Sequence, residues 1–390
     1  MSHRSLAAII VAVTASLAIA ACGGDNSSGT SATTGATTIP GAGTSVAANG
    51  LIGTVTPAGI SADRCAANKA VGKITYLSSF DFAASASIVD VVVAKQKGYF
   101  DKMCLDVDLM SSFSTANYPL VAAGRAQFSS AGSYSEVLTQ STGGAKFAVV
   151  VDEGKQGIDA LMVKADAGVT TLADLKGKTI GVLGAITPSV KAMLFKAGLV
   201  EGKDYQTVLL DGFDPVAHFR QDIAGRPGYK SNEPGILERA GVPFTLFDPA
   251  ADGIPGSFGI IYTSQDFLAK HPTAVQDFVR ASMMGLADAI ADPVAAVAAS
   301  VALIQTAGNQ NHLTTEGETF RWTTESKMVV DGTPKGEPLG LVDPAQLKAE
   351  VDAYSAAGVF ATPQSMDGTY DADLVKGVYD ATGKVIWPAA

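Results

Sequence analysis

The stretch GYKSNEPGIL, residues 228–237, places an aromatic ring, an amide and a carboxylate where a short apolar strand is predicted to end and a helix to begin. Asn232 as N-cap, with Glu233 and Pro234 in the first turn, accounts for a helix start, because the positive end of a helix favours a carboxylate. The same carboxylate can accept N–H groups from an amino-heteroaromatic ligand, with the neighbouring amide as a complementary donor and acceptor. We therefore predict that Tyr229, Asn232 and Glu233 contact a ligand that is neutral or cationic rather than an anion.

A second polar and aromatic loop, SSFDF, lies at the end of the predicted strand KITYLSSF. Rings at such a position can stack on a planar ligand, while a hydroxyl or a carboxylate fixes its edge. The predicted contacts in this loop are Ser79, Phe80, Asp81 and Phe82. The alternative is that both phenylalanines belong to the core and that Asp81 caps the next helix.

Two further predicted helix starts lie after strands, and the N–H groups of a helix start favour acceptors and anions. Ser133 and Tyr134 follow the strand QFSSA, and Thr187 precedes a proline at the start of a later helix. We include these three residues among the predicted ligand contacts. Ordinary capping explains them equally well, because Ser133 and Glu136 have the spacing of a capping box and Thr187 with Pro188 is a sound helix start without a ligand.

Little in the sequence favours catalysis or metal binding. The histidines beyond the first residues are His218, His271 and His312. They are scattered, without the spacing of a metal site or of a base beside a nucleophile. We predict no catalytic residue, no metal and no cofactor. Three arginines would favour an anionic ligand if one turned inward, and the sequence leaves this open for Arg125, Arg220 and Arg226.

The first residues have the pattern of an export signal. Arg4, an apolar run from Leu6 and small residues before Cys22 are typical of a secretory signal peptide over residues 1–21. The sequence Ile-Ala-Ala-Cys resembles a bacterial lipobox, so we predict that Cys22 carries a lipid. An ordinary cleaved signal peptide or an uncleaved anchor is the alternative. Residues 22–60 are rich in Ser, Thr, Gly and Ala and are predicted to form a flexible tether.

Charge and cysteine content restrict the partners and the compartment. The chain has 28 Lys and Arg residues against 38 Asp and Glu residues, a formal net charge of −10, which argues against nucleic acid as a partner. With Cys22 lipidated, Cys65 and Cys104 remain in an exported chain, where disulfides persist, and we predict that they pair. Such a bond would contribute on the order of 4 kcal/mol by restricting the unfolded chain. Two separate buried thiols are the alternative.

From residue 73 onward, predicted strands and helices alternate, which indicates an α/β fold with mostly parallel sheets and helices on their faces. We predict a first lobe from residues 61–164, a second lobe from residues 165–255, and a return of residues 256–390 whose helices pack on the first lobe. The chain would cross between the lobes near residues 160–166 and 250–258 and leave a hinged cleft. In open α/β sheets the carboxyl ends of the strands line such a cleft.

Several motifs, in order over about residues 73–360, resemble one protein family: YLSSFDF, AKQKGYFDKMCLDVDL, LVAAGRAQFSSAG, TLADLKGKTIGV, YKSNEPGIL and FLAKHPTAVQDFVRA. The family comprises the solute-binding proteins of ABC importers for nitrate, alkanesulfonates and thiamine-pyrimidine precursors. The resemblance implies a two-lobed periplasmic-binding-protein fold of type II, which closes about a hinge and hands a small-molecule ligand to an ABC permease. Cys104 departs from the family pattern, in which a small residue precedes the second strand.

Residues and resemblance together predict a monomeric, non-catalytic lipoprotein on the outer face of the cell membrane. Its predicted ligand is a small heteroaromatic nutrient similar to a thiamine-pyrimidine precursor. A small organic anion such as an alkanesulfonate or taurine, or else nitrate, is the alternative ligand. Two other classes stay open: an enzyme of the same fold that synthesises a pyrimidine, and a lipoprotein without a transport role.

Overall fold

The structure is a computed structural model, and it describes residues 50–141, 144–308 and 313–389. The predicted signal peptide, Cys22 and most of the predicted tether lie outside the described residues. The described part forms one two-stranded sheet and two five-stranded sheets, with helices packed around them.

Strands and helices alternate along most of the chain, as the sequence predicts. The strands are β1 (Val55–Thr56), β2 (Gly59–Ile60), β3 (Lys73–Leu77), β4 (Asp106–Met110), β5 (Phe128–Ala131), β6 (Phe147–Gly154), β7 (Asp159–Lys164), β8 (Thr179–Val182), β9 (Gln206–Leu209), β10 (Gly225–Tyr229), β11 (Phe244–Phe247) and β12 (Phe258–Ser264). The helices are α1 (Ala62–Ala70), α2 (Val89–Gln96), α3 (Tyr99–Lys102), α4 (Ser114–Ala122), α5 (Tyr134–Gln140), α6 (Pro188–Lys196), α7 (Pro215–Phe219), α8 (Glu233–Arg239), α9 (Gln265–Lys270), α10 (Pro272–Ala291), α11 (Pro293–Ala307), α12 (Thr315–Gly332), α13 (Pro344–Ala356) and α14 (Ala372–Lys376). A short 3-10 helix covers Leu172–Leu175.

Each large sheet combines parallel strands with antiparallel ones. The first sheet has the order β4-β3-β5-β12-β6, and β3 runs parallel to both β4 and β5. The second sheet has the order β11-β7-β10-β8-β9, and β8 runs parallel to both β9 and β10. Strands β6 and β12 are buried along their whole length, as expected for strands with both faces covered. The predicted α/β fold with two sheets is confirmed.

Of the two predicted crossings between the sheets, the first lies at a different position. Strand β7 pairs with β10 and β11 in the second sheet, so the predicted crossing near residues 160–166 is wrong. Residues 160–163 are fully buried there, because a strand inside a sheet is covered on both faces. The chain leaves the first sheet through residues 155–158 and returns through residues 248–257. We therefore move the proposed boundary between the lobes from residue 164 to 155–158.

The two crossing segments touch each other. A Cβ atom added at Gly256 would lie 2.5 Å from the backbone nitrogen of Gly157, so this contact has no room for a side chain. The carbonyl oxygen of Gly256 accepts a hydrogen bond from Gln346 Nε2 at 2.6 Å. At the first crossing, Lys155 Nζ donates to the carboxylate of Asp152 at 3.0 Å. Two short adjacent segments of this kind are where a hinge between lobes would act.

The helices that follow β12 cover the first sheet. Phe278 on α10 stacks on Phe128 of β5 with a ring-centroid distance of 3.9 Å. A Cβ atom at Gly285 would lie 2.0 Å from the carbonyl oxygen of Asp90, so the glycine permits α10 to approach α2 closely. The predicted return of the chain to pack its helices on the first sheet is therefore observed.

Helix α1 is joined to the same part of the fold by covalent and polar contacts. The sulfur atoms of Cys65 and Cys104, which are predicted to pair, lie 2.08 Å apart. The buried side chain of Arg64 donates through Nε to Asp277 at 2.7 Å. Asn68 Nδ2 donates to the same carboxylate at 2.7 Å, so α1 and α10 are held together by a shared charge.

Within the described ranges, no single helix combines the length and the hydropathy needed to cross a membrane. Helices α10 and α11 meet those criteria only when taken as a pair, and they are bent by 116° where they join. Most of α10 is buried among the described residues.

Candidate functional site

In each of the two large sheets, exposed aromatic rings lie at the edge where the parallel strands end. In the first sheet, Phe80 and Phe113 follow β3 and β4 and are 38% and 54% exposed. In the second sheet, Tyr229 ends β10 and is 47% exposed. Large rings are usually buried, and strand ends are where α/β proteins bind ligands, so these three rings indicate a binding surface.

The loop after β3 holds Phe80 on a constrained backbone. Asp81 and Ser87 have positive φ angles of 50° and 60°, which non-glycine residues rarely adopt. The Ser79 N–H donates to a serine hydroxyl of β5 at 2.6 Å, and the Phe80 ring meets the Phe113 ring edge-on at 6.1 Å. The predicted residues Ser79 and Phe80 thus lie at the edge, beside Phe113, which the sequence analysis did not identify.

Arg321 on α12 connects this loop to the turn after β10. Its guanidinium carbon lies 5.4 Å from the centre of the Phe80 ring, within the range of a cation–π contact. Its Nη2 donates to Asn232 Oδ1 at 2.9 Å, and its Nε donates to Glu318 Oε2 at 3.3 Å. The structure therefore brings the predicted residues Phe80 and Asn232 to two sides of one side chain.

Glu325 makes a second connection about one helical turn further along α12. Its Oε1 accepts from the Ser231 hydroxyl at 2.6 Å, and its Oε2 accepts from the Ala86 N–H at 2.7 Å. Burial raises the pKa of this carboxyl group. Arg321 and Glu325 each contact both the first-sheet loop and the second-sheet turn, and we refer to Glu318, Arg321 and Glu325 as the α12 bridge.

Glu233 does not present its carboxylate to a ligand as predicted. Its Oε1 accepts from Arg226 Nη2 at 3.0 Å, and its Oε2 accepts from the Tyr229 N–H at 2.8 Å. Arg226 is buried and also contacts His218 Nδ1 through Nη1 at 2.7 Å. Because protein donors occupy both carboxylate oxygens, the interpretation of Glu233 as a ligand acceptor is corrected here: it is the partner of a buried arginine at the start of α8.

Phe82 and Asp81 also turn away from the edge. Phe82 is buried in a cluster with Ile88 and Ile304. In an extended chain Phe80 and Phe82 would share one face, but the left-handed backbone of Asp81 between them sends Phe82 inward. Asp81 is buried and accepts from the Phe82 N–H at 2.8 Å through Oδ1. Of the two predicted phenylalanines, only Phe80 is at the binding surface.

The start of α5 follows the capping alternative. Ser133 Oγ accepts from the Glu136 N–H at 3.2 Å. The carboxylate of Glu136 accepts from the Gly132 N–H at 2.9 Å. Tyr134 is fully buried, and its hydroxyl lies 2.6 Å from Thr369 Oγ1. The predicted ligand contact by Tyr134 is therefore wrong because its ring is part of the core, whereas Ser133 stays partly exposed.

The carboxylate at the start of α6 comes from β7, which is distant from α6 in the sequence. Thr187 occupies the N-cap position, but its hydroxyl makes no capping bond, and Oγ1 is buried with no hydrogen-bond partner among the described residues. Asp159, at the start of β7, accepts from Ser189 Oγ at 3.0 Å, and the Ser189 N–H also interacts with this carboxylate. Burial raises the pKa of Asp159 to about 6, so the group is mainly ionised at neutral pH. No motif or spacing in the sequence marks Asp159, which lies 30 residues before Ser189.

The arginines left open by the sequence do not supply a site for an anion. Arg226 is bonded to Glu233, and Arg125 and Arg220 are exposed to solvent. Carboxylates lie at the edge instead, from Asp159 and from the α12 bridge. A negative ligand group near Asp159 would be opposed by its charge, whereas the carboxylates of the α12 bridge are partly offset by Arg321.

Comparison with known proteins places the chain near one family. The model of the family described as NMT1/THI5 like matches residues 85–296, more than half of the chain. The riboflavin-binding protein RibY of Chloroflexus aurantiacus is 33% identical over 144 residues, which are 34% of this chain and 38% of that protein. The chain thus matches much less than two thirds of the length of this relative.

Solved structures share the fold at low identity. The periplasmic sulfonate-binding protein SsuA of a putative sulfonate ABC transporter from Methylobacillus flagellatus has a TM-score of 0.57 at 17% identity, covering 78% of this chain and 93% of that chain. The desulfurization enzyme DSZB has a TM-score of 0.52 at 12% identity, covering 78% of this chain and 98% of that chain. These likenesses show the fold alone, which binding proteins and an enzyme have in common.

Proposed function

We propose, because the chain belongs to the NMT1/THI5-like family, that it is the extracytoplasmic solute-binding component of an ABC importer. In this role it captures a small planar heteroaromatic molecule between its two lobes and delivers it to a membrane permease. The observation that carries the ligand class is the set of exposed rings at the strand ends, Phe80, Phe113 and Tyr229. Rings of this kind bind a flat ligand by stacking, without requiring a charge on it.

A flavin is the first ligand to test within this class. The relative RibY is named a riboflavin-binding protein, and an isoalloxazine ring system presents a large flat face to aromatic side chains. A thiamine-pyrimidine precursor belongs to the same class and is smaller. The carboxylate of Asp159 at the edge favours such neutral ligands over a sulfonate or nitrate.

The α12 bridge supports a role in closure. A ligand stacked on Phe80 would lie beside Arg321, whose guanidinium also holds Asn232 in the second-sheet turn. Contacts of this kind, made from both lobes at once, stabilise the closed form relative to the open one. Binding and closure would then be coupled through one helix.

Replacing Phe80 by alanine is expected to weaken riboflavin binding by up to about tenfold, because an aromatic stacking pair contributes about 0.5–1.5 kcal/mol. Quenching of flavin fluorescence on titration with the purified protein measures the Kd. The matched control is Phe195→Ala, which removes a phenylalanine that is 45% exposed near the C-terminal end of α6, away from the strand ends. The control variant should bind as the wild type does.

The same titrations distinguish the competing functions. Pyrimidines, alkanesulfonates, taurine and nitrate are tested in parallel by thermal shift. Stabilisation by an anion and by no heteroaromatic would contradict the proposed ligand class. Conversion of any ligand into a product would indicate an enzyme of this fold, and binding of none would favour a lipoprotein without a transport role.

We also propose export and lipid anchoring through Cys22, which lies outside the described residues. The bonded pair Cys65 and Cys104 supports an oxidising compartment, where disulfides persist. Replacing Cys22 by serine is expected to move the protein from the membrane fraction to the soluble fraction of the producing bacterium. Cell fractionation with immunoblotting measures this, and a variant that stays with the membranes would contradict lipidation.

A further inference from the structure

The first turn of α6 already holds a carboxylate that belongs to the protein. Asp159 accepts from the Ser189 hydroxyl at 3.0 Å and interacts with the Ser189 N–H. The N–H groups of a helix start lack partners within the helix, and the helix dipole is positive there, so such a position attracts anions. Asp159 therefore occupies the place that an anionic ligand group would take.

Asp159 also lies beside an exposed ring of the binding surface. It is directly opposite Tyr229 in the antiparallel pairing of β7 with β10. Residues directly opposite one another in such a pair project from the same face of the sheet. Asp159 is partly exposed, and it lies close enough to the Tyr229 hydroxyl to interact with it electrostatically. A ligand that contacts Tyr229 therefore meets this carboxylate.

The cations near Asp159 form ion pairs with other carboxylates. Lys230, whose charge acts on Asp159, is bonded to Asp248 at 2.9 Å. Arg226 is bonded to Glu233 at 3.0 Å. No cation among the described residues forms an ion pair with Asp159, so the charge of its carboxylate is not offset at this end of β7.

From this arrangement we infer that Asp159 sets the charge selectivity of the site. Its carboxylate fills the anion position at the start of α6, excludes sulfonates, phosphates and carboxylates, and leaves the site to neutral and cationic heteroaromatic ligands. This inference rests on the proposed function and specifies its substrate class. It also explains why Thr187 is not needed as a cap, since Asp159 supplies the acceptor.

Asp159→Ala empties the anion position, and the test is whether an external anion then binds there. Methanesulfonate, compared with chloride at matched ionic strength, is expected to raise the Tm of Asp159→Ala in a saturable manner and to leave the wild type unchanged. The apparent affinity of the variant for methanesulfonate should exceed that of the wild type by about tenfold or more, the amount set by removing one adjacent like charge. Asp159→Asn removes the charge while keeping the size of the side chain, and it should show the same gain more weakly.

Asp343→Ala is the matched control. Asp343 accepts from the Ala345 N–H at 2.8 Å at the start of α13, which begins with a proline as α6 does. Because Asp343 is exposed, water and salt screen that helix start, and its removal should give no saturable gain. A lack of gain in both Asp159 variants would overturn the inference, as would an equal gain in Asp343→Ala.

Titration of the wild type with riboflavin and pyrimidines separates this inference from the function on which it rests. The wild type could bind a heteroaromatic ligand while the Asp159 variants gain no affinity for methanesulfonate. That result removes the charge-selection role of Asp159 and leaves the proposed function standing. Binding of methanesulfonate by the wild type removes the charge-selection role, and it removes the proposed ligand class as well if the wild type binds no heteroaromatic.

Discussion

Replacing Glu233 by alanine is expected to lower the free energy of unfolding by about 3–5 kcal/mol, because it leaves a buried charge without its partner. The side chain of Arg226 is 3% exposed, and Glu233 Oε1 lies 3.0 Å from its Nη2. Without Glu233, the guanidinium keeps His218 Nδ1 and the Pro227 carbonyl oxygen among its described contacts, and neither belongs to a carboxylate. Urea unfolding followed by circular dichroism measures the change.

Two further variants separate the ion pair from other effects of the mutation. Glu238→Gln changes an exposed carboxylate on the same helix and should alter the unfolding free energy by less than about 0.5 kcal/mol. The double variant Arg226→Met with Glu233→Leu removes both charges and should recover most of the stability lost in Glu233→Ala. If the double variant is as unstable as the single one, the buried ion pair is not the cause. A loss of riboflavin affinity at unchanged stability would instead support the original prediction for Glu233.

The features that depend on local pattern could be predicted from the sequence. Runs of apolar residues and helix starts place the loop of Phe80 after β3 and the turn of Asn232 after β10, and the parallel strand order brings such ends to one edge. The prediction that Cys65 pairs with Cys104, whose sulfur atoms lie 2.08 Å apart, depends on export of the chain and on a separate role for Cys22.

Side-chain direction within those segments could not be predicted, because it depends on single dihedral angles. The left-handed backbone of Asp81 sends Phe82 into the core while Phe80 stays exposed. Glu233 illustrates a different limit: a carboxylate beside an amide suits a ligand or an arginine equally. The arginine that it binds, Arg226, lies seven residues earlier on β10.

Contacts between distant segments could not be predicted either, because they depend on strand order and helix packing. Arg321 meets Asn232 across 89 residues, and Asp159 meets Ser189 across 30 residues. Neither pair is marked by spacing or by a motif. The aromatic rings of the binding surface therefore follow from local sequence pattern, whereas the positions of its charged groups depend on tertiary structure.

Two buried carboxyl groups, Asp90 and Glu153, lie behind the loop after β3 and account for the other large expected effect. Asp90 on α2 and Glu153 on β6 are fully buried, and their side chains interact with each other. Apart from Glu153 and the N–H groups of Asp90 and Val91, the carboxyl group of Asp90 has no hydrogen-bond donor among the described residues, whereas Glu153 Oε2 accepts from the Ser87 N–H at 3.0 Å. A proton held between the two groups avoids two unpaired charges in the interior.

The free energy of unfolding is expected to fall as the pH rises from about 4 to about 7, by on the order of 3 kcal/mol for this pair. Burial raises the pKa of Asp90 to about 7 and raises that of Glu153 well above its usual value. The folded protein therefore holds protons that the unfolded chain releases above about pH 4, which makes the slope of stability against pH negative. Asp152 and Glu350, whose pKa values burial raises to about 6 and about 7, act in the same direction.

Asp90→Asn tests this shared proton, because an amide supplies the donor without a titration. The variant should lose much less stability than the wild type between pH 5 and pH 8, and at pH 8 it should be the more stable of the two. Urea unfolding at closely spaced pH values measures both curves, with Asp352→Asn as the control at an exposed carboxylate of α13. A variant curve parallel to that of the wild type would mean that Asp90 and Glu153 do not hold a proton between them. The loop after β3 would then be stabilised by contacts that do not titrate in this range, such as the hydrogen bond from the Ser79 N–H to the serine hydroxyl of β5.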